Sequence, residues 1–317
     1  MKKNVLLIES PSYPKNFGNH LSKICNGNIV LVKENKNEIL KKIKTANGLV
    51  NCPRRFFDKE ILLNANYLEW VHTGGAGVEE YLFNEFIRSN IIFTNGRILQ
   101  GPEIADHAIG LILSISRNIY LYARGDKNKF KRPIELNNKI CGIVGLGGIG
   151  LLVAERLKTF GMKIITFSEE LSPMTSFIDE SYRGNDLKQH ISKIDVVVCA
   201  APLTKSTKNL FNKSLLKKMK KQSILINVSR GSLIDTKALL NTKINSKFLG
   251  IGLDVTDPDP LPNSHKLRKL KNIVITNHTS GLSDNNRLRS KNLMIENIKR
   301  FCNGMNLLNI VDKKKGY

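Results

Sequence analysis

The chain has 317 residues, 41% of them hydrophobic, and a formal net charge of +23 from 50 lysines and arginines against 27 acidic residues. That length and apolar content supply cores for two domains of ordinary size. No apolar run is long enough to span a bilayer, and the first apolar stretch breaks at Glu9 before a secretory core can form, so neither a membrane partner nor secretion is expected.

The lysines are scattered among asparagine and isoleucine, with no arginine-rich, aromatic-interleaved stripe. They read as solvated surface, the tail Lys313–Lys315 included, and no nucleic-acid partner is expected. Cys25, Cys52, Cys141, Cys199 and Cys302 are widely spaced without a C-x-x-C pair, which points to free thiols in a reducing cytoplasm and to no metal site.

Short apolar runs alternate with helical stretches along the chain. In the first hundred residues strands are expected at 5–8, 29–32, 49–50, 68–71 and 91–94. Gly101-Pro-Glu then opens a helix through about Arg124, with proline in the first turn and Ile104, Ala108, Leu111, Ile115 and Ile119 at helical spacing. A second series of strands follows at 140–144, 163–167, 196–199, 224–228, 248–255 and 273–276, and a last helix over 292–301. Two such series predict an α/β chain of two doubly wound domains with parallel sheets. If the last helix returns to the first domain, that domain is discontinuous, 1–100 with 284–317, and 101–283 is inserted into it.

The first strand of the second series runs through Gly145-x-Gly147-x-x-Gly150 into a helical pattern, Leu152, Val153, Ala154 and Leu157. This is a dinucleotide-binding turn: Gly145 for the tight turn, Gly147 for close approach to the pyrophosphate, and Gly150 for helix–strand packing. The amides that open the helix, those of Gly148 and Ile149 among them, stabilise an anion without any basic side chain.

Ligands of open α/β sheets bind at the carboxyl ends of the strands, which selects Arg230, Asp254, Asp259 and His278 as candidates for chemistry. Arg230 offers a planar, permanently charged fork for a carboxylate. His278 supplies an imidazole, the side-chain type that suits a proton donor.

The chain resembles the D-isomer-specific 2-hydroxyacid dehydrogenases, of the glyoxylate and hydroxypyruvate reductase type, over nearly its whole length. The likeness rests on Gly74-Gly-Ala-Gly-Val-Glu79, Ala105-Asp-His107, the glycine turn, Ala201-Pro-Leu-Thr204, Asn227-Val-Ser-Arg-Gly231, Leu253-Asp-Val255 and His278. It implies a Rossmann cofactor domain inserted into a flavodoxin-like substrate domain. It also implies hydride transfer between a nicotinamide cofactor and a small D-2-hydroxy acid or 2-oxo acid, with Arg230, Asp259 and His278 catalytic. By the same resemblance Gly75, Ala76 and Gly77 bind the substrate carboxylate, and Ala201, Pro202, Val228, Ser229 and Asp254 line the cofactor. A homodimer through the cofactor domain is implied as well.

The family usually carries Glu where this chain has Asp259, one methylene shorter, and Asp257 is a competing partner for His278. His107 is read as packing or linking. Tyr13, Phe17, Phe56 and Phe57 either shape a substrate pocket or belong to the core. Ser168 stands where many members have the Asp that reads the ribose 2′-hydroxyl; with Glu169 and Glu170 behind it and no arginine adjacent in sequence, NAD is favoured and NADP not excluded. The alternative function is a non-catalytic, NAD(H)-sensing corepressor-like protein.

Overall fold

The computed structural model describes residues 2–125, 132–169 and 175–317; Glu170 lies outside the described residues. The chain forms two compact units, Met1–Leu99 with Ser283–Tyr317, and Gln100–Leu282.

Among the described residues, the first unit holds a five-stranded parallel sheet: β1 (Asn4–Ile8), β2 (Asn28–Val32), β3 (Gly48–Val50), β4 (Trp70–His72) and β5 (Ile92–Thr94), in the order β2-β1-β3-β4-β5. Its strands are almost continuously apolar because both faces are covered. One face packs on Phe57, Ile61 and Phe86, the other on Phe17, Met294, Ile298 and Phe301. Phe17 and Phe57 are therefore core residues, buried to within a few per cent. The C-terminal helix Asn286–Cys302 completes this unit and begins six residues earlier than its apolar pattern suggests.

The second unit holds a seven-stranded parallel sheet: β6 (Ile140–Val144), β7 (Lys163–Ser168), β8 (Glu180–Arg183), β9 (Val196–Cys199), β10 (Ile224–Asn227), β11 (Gly250–Leu253) and β12 (Ile273–Ile275), in the order β12-β11-β10-β9-β6-β7-β8. The chain runs outward from β6 in one direction and from β9 in the other, so the order reverses between these two strands. A crevice at the carboxyl ends is expected at such a reversal.

Three expectations change. The helix expected through Arg124 ends at Ser116 and resumes as Ile119–Ala123, because Asn118 takes a left-handed conformation (φ 59°) that a short amide side chain tolerates. Strand β8 has no apolar run in Glu180-Ser-Tyr-Arg183 and no sequence signal; it forms as a partly exposed edge paired with β7. Lys313 is not solvated surface. Its ammonium donates to the carbonyls of Phe86 (2.9 Å), Ser89 (2.7 Å) and Ile91 (2.8 Å), capping the end of the helix Asn84–Arg88. Burial holds that ammonium below the usual lysine range.

Candidate active site

The glycine turn lies at the reversal. Gly145 has φ 96°, which an L side chain rarely adopts, and a Cβ there would sit 2.5 Å from the backbone nitrogen of Ala201 after β9. A Cβ on Gly150 would meet the carbonyl oxygen of Gly145 at 2.1 Å, so the helix Gly148–Thr159 can rise from the strand end only without one. Gly147 faces open space instead, with nothing within 4 Å of its missing Cβ. The first amides of this helix have no intrahelical acceptors. A bare cradle of backbone N–H groups at the positive end of a helix dipole fits the pyrophosphate of a dinucleotide. Ile149 is partly buried above it, and Pro202 is fixed by its carbonyl accepting from Thr207 Oγ1 at 2.6 Å.

On the other side of the reversal, the loops after β10, β11 and β12 meet. Asn227 ends β10 and braces the turn that carries Arg230: its Oδ1 accepts from the Ser229 amide (3.1 Å) and hydroxyl (3.0 Å), and its Nδ2 donates to the Arg230 carbonyl (2.8 Å). Val228 is buried, its amide donating to Cys199 at 3.3 Å. Arg230 is half-buried, and its Nη1 donates to the Ser229 carbonyl at 2.7 Å. Next to it, a Cβ on Gly231 would lie 1.8 Å from the Thr256 carbonyl oxygen, so glycine lets the Arg230 loop press on the acidic loop after β11.

That contact divides the two candidate carboxylates. Asp257 accepts from Ser232 Oγ at 2.8 Å, whereas Asp259 Oδ2 lies 2.7 Å from His278 Nδ1. The shorter aspartate reaches the imidazole directly. The bond makes Nδ1 the donor to Asp259 and leaves Nε2 as the nitrogen for proton exchange. The pair is accessible, with side-chain exposures of 51% for His278 and 32% for Asp259, so it contributes orientation more than stability.

His278 itself has φ 54°, a left-handed conformation that costs energy outside glycine and persists only where the surroundings fix it. Asp254 fixes it. Its carbonyl accepts the His278 amide at 2.8 Å, and its carboxylate accepts from Thr276 Oγ1 (2.6 Å) and the amides of Thr279 (3.0 Å) and Ser280 (3.2 Å). Burial alone would raise the Asp254 carboxyl; the donors from Ser280, Thr276 and Thr279 outweigh it and hold the group below the usual aspartate range. The side chain is wholly covered, so its oxygens serve the loop that carries His278. His107 joins the same cluster, its Nε2 2.9 Å from Thr276 Oγ1, and ties the helix Gly101–Ser116 to the end of β12. Thr276, Thr279 and Ser280 are not among the candidates that the sequence points to. Their signal is the run Thr276-Asn-His-Thr-Ser280, short polar side chains around a strand end, the composition of a hydrogen-bonded turn.

Ser168 is the last residue of β7, and Glu169 is exposed just beyond it. In the other unit, the Gly74–Gly77 loop is tied by its carbonyls: Gly75 accepts from the Gly96 amide at 2.9 Å and Ala76 from Asn95 Nδ2 at 2.8 Å. In a trans peptide the N–H points opposite to the carbonyl, so the amides of Ala76 and Gly77 face away from residues 95–96.

Residues 109–280 match the family model for the D-isomer specific 2-hydroxyacid dehydrogenase, NAD binding domain. The chain is 32% identical over 285 residues to a glyoxylate reductase of Pyrococcus furiosus, an alignment covering 85% of this chain and 83% of that one. Among solved structures, the TT0316 protein from Thermus thermophilus is 28% identical with a TM-score of 0.77, covering 97% of this chain and 99% of the other. A glyoxylate reductase from Paecilomyes thermophila shares the fold, with a TM-score of 0.84 at 22% identity and 99% coverage of both chains.

The chain belongs to the D-isomer-specific 2-hydroxyacid dehydrogenase family. It is an oxidoreductase that moves a hydride between a nicotinamide cofactor of the NAD type and a 2-hydroxy acid or 2-oxo acid. The corepressor alternative finds no support among these relatives. No helix of the described residues is long and apolar enough to cross a membrane.

Proposed function

We propose that this chain reduces small, polar 2-oxo acids of the glyoxylate or hydroxypyruvate kind, with His278 as acid/base, Asp259 as its orienting partner and Arg230 as the clamp for the substrate carboxylate and carbonyl. The carrying observation is the 2.7 Å bond between His278 Nδ1 and Asp259, on a loop against which the Arg230 loop is packed through Gly231. A nicotinamide bound at the glycine turn would supply or accept the hydride. His278 holds a proton on Nε2 and delivers it to the carbonyl oxygen, where negative charge builds during reduction. Asp259 keeps the imidazole in one orientation, and Asp254 is a positioning residue that fixes the loop. Arg230 orients the substrate so that the charge develops beside the imidazole.

The amides of Ala76 and Gly77, with Gly75, are the second carboxylate seat; 1–100 with 284–317 form the substrate domain, and 101–283 the cofactor domain. Gly145, Gly147, Gly148, Ile149 and Gly150 would hold the cofactor's pyrophosphate, Ser168 and Glu169 would meet its ribose, and Ala201, Pro202, Val228, Ser229 and Asp254 would line the rest of it. The enzyme works in the cytoplasm as a homodimer joined through the cofactor domain. The glyoxylate reductases among its relatives support the substrate class.

The test is NADH and NADPH oxidation, followed by absorbance, against a series of 2-oxo acids of increasing size, with wild type and His278→Ala side by side. Turnover of the smallest acids that the substitution abolishes is expected. Turnover that survives it removes His278 from the acid/base role, and preference for a bulky oxo acid overturns the substrate assignment. Sedimentation of the purified chain tests the dimer.

A further inference from the structure

The end of β7 is where a dinucleotide fold reads the ribose 2′ position, by a carboxylate for the free hydroxyl or by an arginine for a phosphate. Here the terminal residue is Ser168, a hydroxyl that can donate to an anion and that repels nothing. No arginine follows it in sequence, but one faces it in space. Strand β8 pairs in parallel with β7 and ends in step, Ser168 opposite Arg183. Arg183 is exposed, and its Nη1 donates to the Glu169 carbonyl at 2.6 Å, which pins the guanidinium at the tip of β7 with one of its five N–H groups.

The carboxylates earlier on the same two strands are already occupied. Glu180 is paired with Lys163 (2.5 Å) and accepts from Tyr182 Oη (2.6 Å), and Asp179 is paired with Lys158 (2.7 Å). Glu169, next to Ser168 in the chain, takes part in none of these pairs. It competes with an incoming phosphate for Arg183, which argues for a shared specificity rather than rejection of NAD.

We propose that Arg183, with Ser168 beside it, forms the seat for a phosphate on the adenosine ribose, so that this chain binds NADPH as tightly as NADH. The inference rests on the cofactor assignment above and names the residue that sets its specificity. A planar guanidinium held by one bond to the backbone presents its other N–H groups as a fork, the geometry that suits a phosphate.

Fluorescence titration of the purified chain with NADH and NADPH, without substrate, tests it. The expected result is an NADPH dissociation constant within fivefold of that for NADH, or below it. Arg183→Gln then weakens NADPH by about ten- to a hundredfold, the worth of one or two charge-assisted hydrogen bonds, and leaves NADH within about twofold. Ser168→Asp also weakens NADPH, by introducing a carboxylate, without touching the bond between Arg183 and Glu169. NADPH binding more than fivefold weaker than NADH in the wild type overturns the proposal, as does equal weakening of both cofactors by Arg183→Gln, which would mark a merely structural arginine. Binding of neither cofactor overturns the cofactor assignment itself, a different failure.

Discussion

The two sides of the sheet reversal are built by opposite means. After β6 the site is made of missing side chains: Gly145 and Gly150 leave room for backbone to touch backbone, and Gly147 leaves backbone bare to a ligand. After β10, β11 and β12 it is made of side chains that hold one another, Asn227 on the Arg230 loop, Asp254 on the His278 loop and Asp259 on the imidazole. A cofactor's pyrophosphate needs only N–H groups at a fixed distance, which a turn supplies. A proton transfer needs a specific titratable atom in a specific place, so side chains must be anchored.

The comparison breaks first, and hardest, at His278. Replacing it with alanine removes the proton donor while leaving the glycine cradle intact. We expect kcat to fall by about 10²–10⁴-fold with cofactor affinity within about threefold of wild type. Steady-state kinetics with a parallel NADH titration checks both halves, and a matching loss of cofactor binding would show that the two sides are not separable.

The glycines sharpen the same contrast from the other side. Gly150→Ala places a Cβ 2.1 Å from a backbone oxygen that cannot swing away, and should cost about 1–3 kcal/mol of stability or more. Gly147→Ala meets nothing within 4 Å and keeps an allowed backbone at φ −93°, so its stability should stay within about 0.5 kcal/mol of wild type while NADH binding weakens roughly tenfold. Urea denaturation should therefore single out Gly150→Ala, and cofactor titration of the folded protein should register Gly147→Ala without any loss of stability. A Gly147→Ala variant that binds NADH normally would remove that residue from the cofactor path.

How much of this could be read beforehand follows from the same division. The glycine turn is contiguous, and each glycine has a steric reason, so the motif and the strand–helix context around it are legible in the single stretch 140–157. The alternation of apolar runs likewise announced the parallel sheets, because buried parallel strands must be apolar on both faces. Edge strand β8 was invisible for the converse reason, and with it Arg183, whose neighbour Ser168 is fifteen residues away in sequence but opposite in register. The side-chain half is legible only in part. Arg230, Asp259 and His278 stand out by position and resemblance, but the choice of Asp259 over Asp257 depends on Ser232 occupying the rival. The bracing by Thr276, Thr279 and Ser280 depends on a buried carboxylate that no local pattern declares.

Asp254→Asn probes that bracing. The neutral amide has one acceptor oxygen in place of a charged pair, and the loop loses part of a network in which each bond to a charged group is worth about 1.5–3 kcal/mol; a net loss of roughly 2 kcal/mol is expected at neutral pH. The pH dependence carries the signature. Because the folded Asp254 carboxyl is held below its ordinary value, its contribution is complete above the unfolded aspartate range near pH 4 and drains away as pH falls through the lower folded value. The gap in Tm between wild type and Asp254→Asn should be widest at about pH 6–7 and close as pH drops below about 4. A gap that stays constant down to about pH 2 would place the effect in packing, not in the charge.

Thr276→Val is the gentlest cut. It keeps the volume and removes the hydroxyl that stands between Asp254 Oδ1 (2.6 Å) and His107 Nε2 (2.9 Å). Two hydrogen bonds go, but the amides of Thr279 and Ser280 still reach the carboxylate, so the stability loss should be about 1 kcal/mol and the fold should survive. If the network exists to hold His278 in its left-handed conformation, the substitution should lower kcat several-fold more than it raises KM, since the imidazole drifts while the Arg230 clamp stays. If it merely stabilises the sheet end, both parameters should stay within about twofold of wild type once the variant is folded. Kinetics at a temperature well below its Tm separates the two, and only the first result leaves the side-chain half of the site dependent on its buried support.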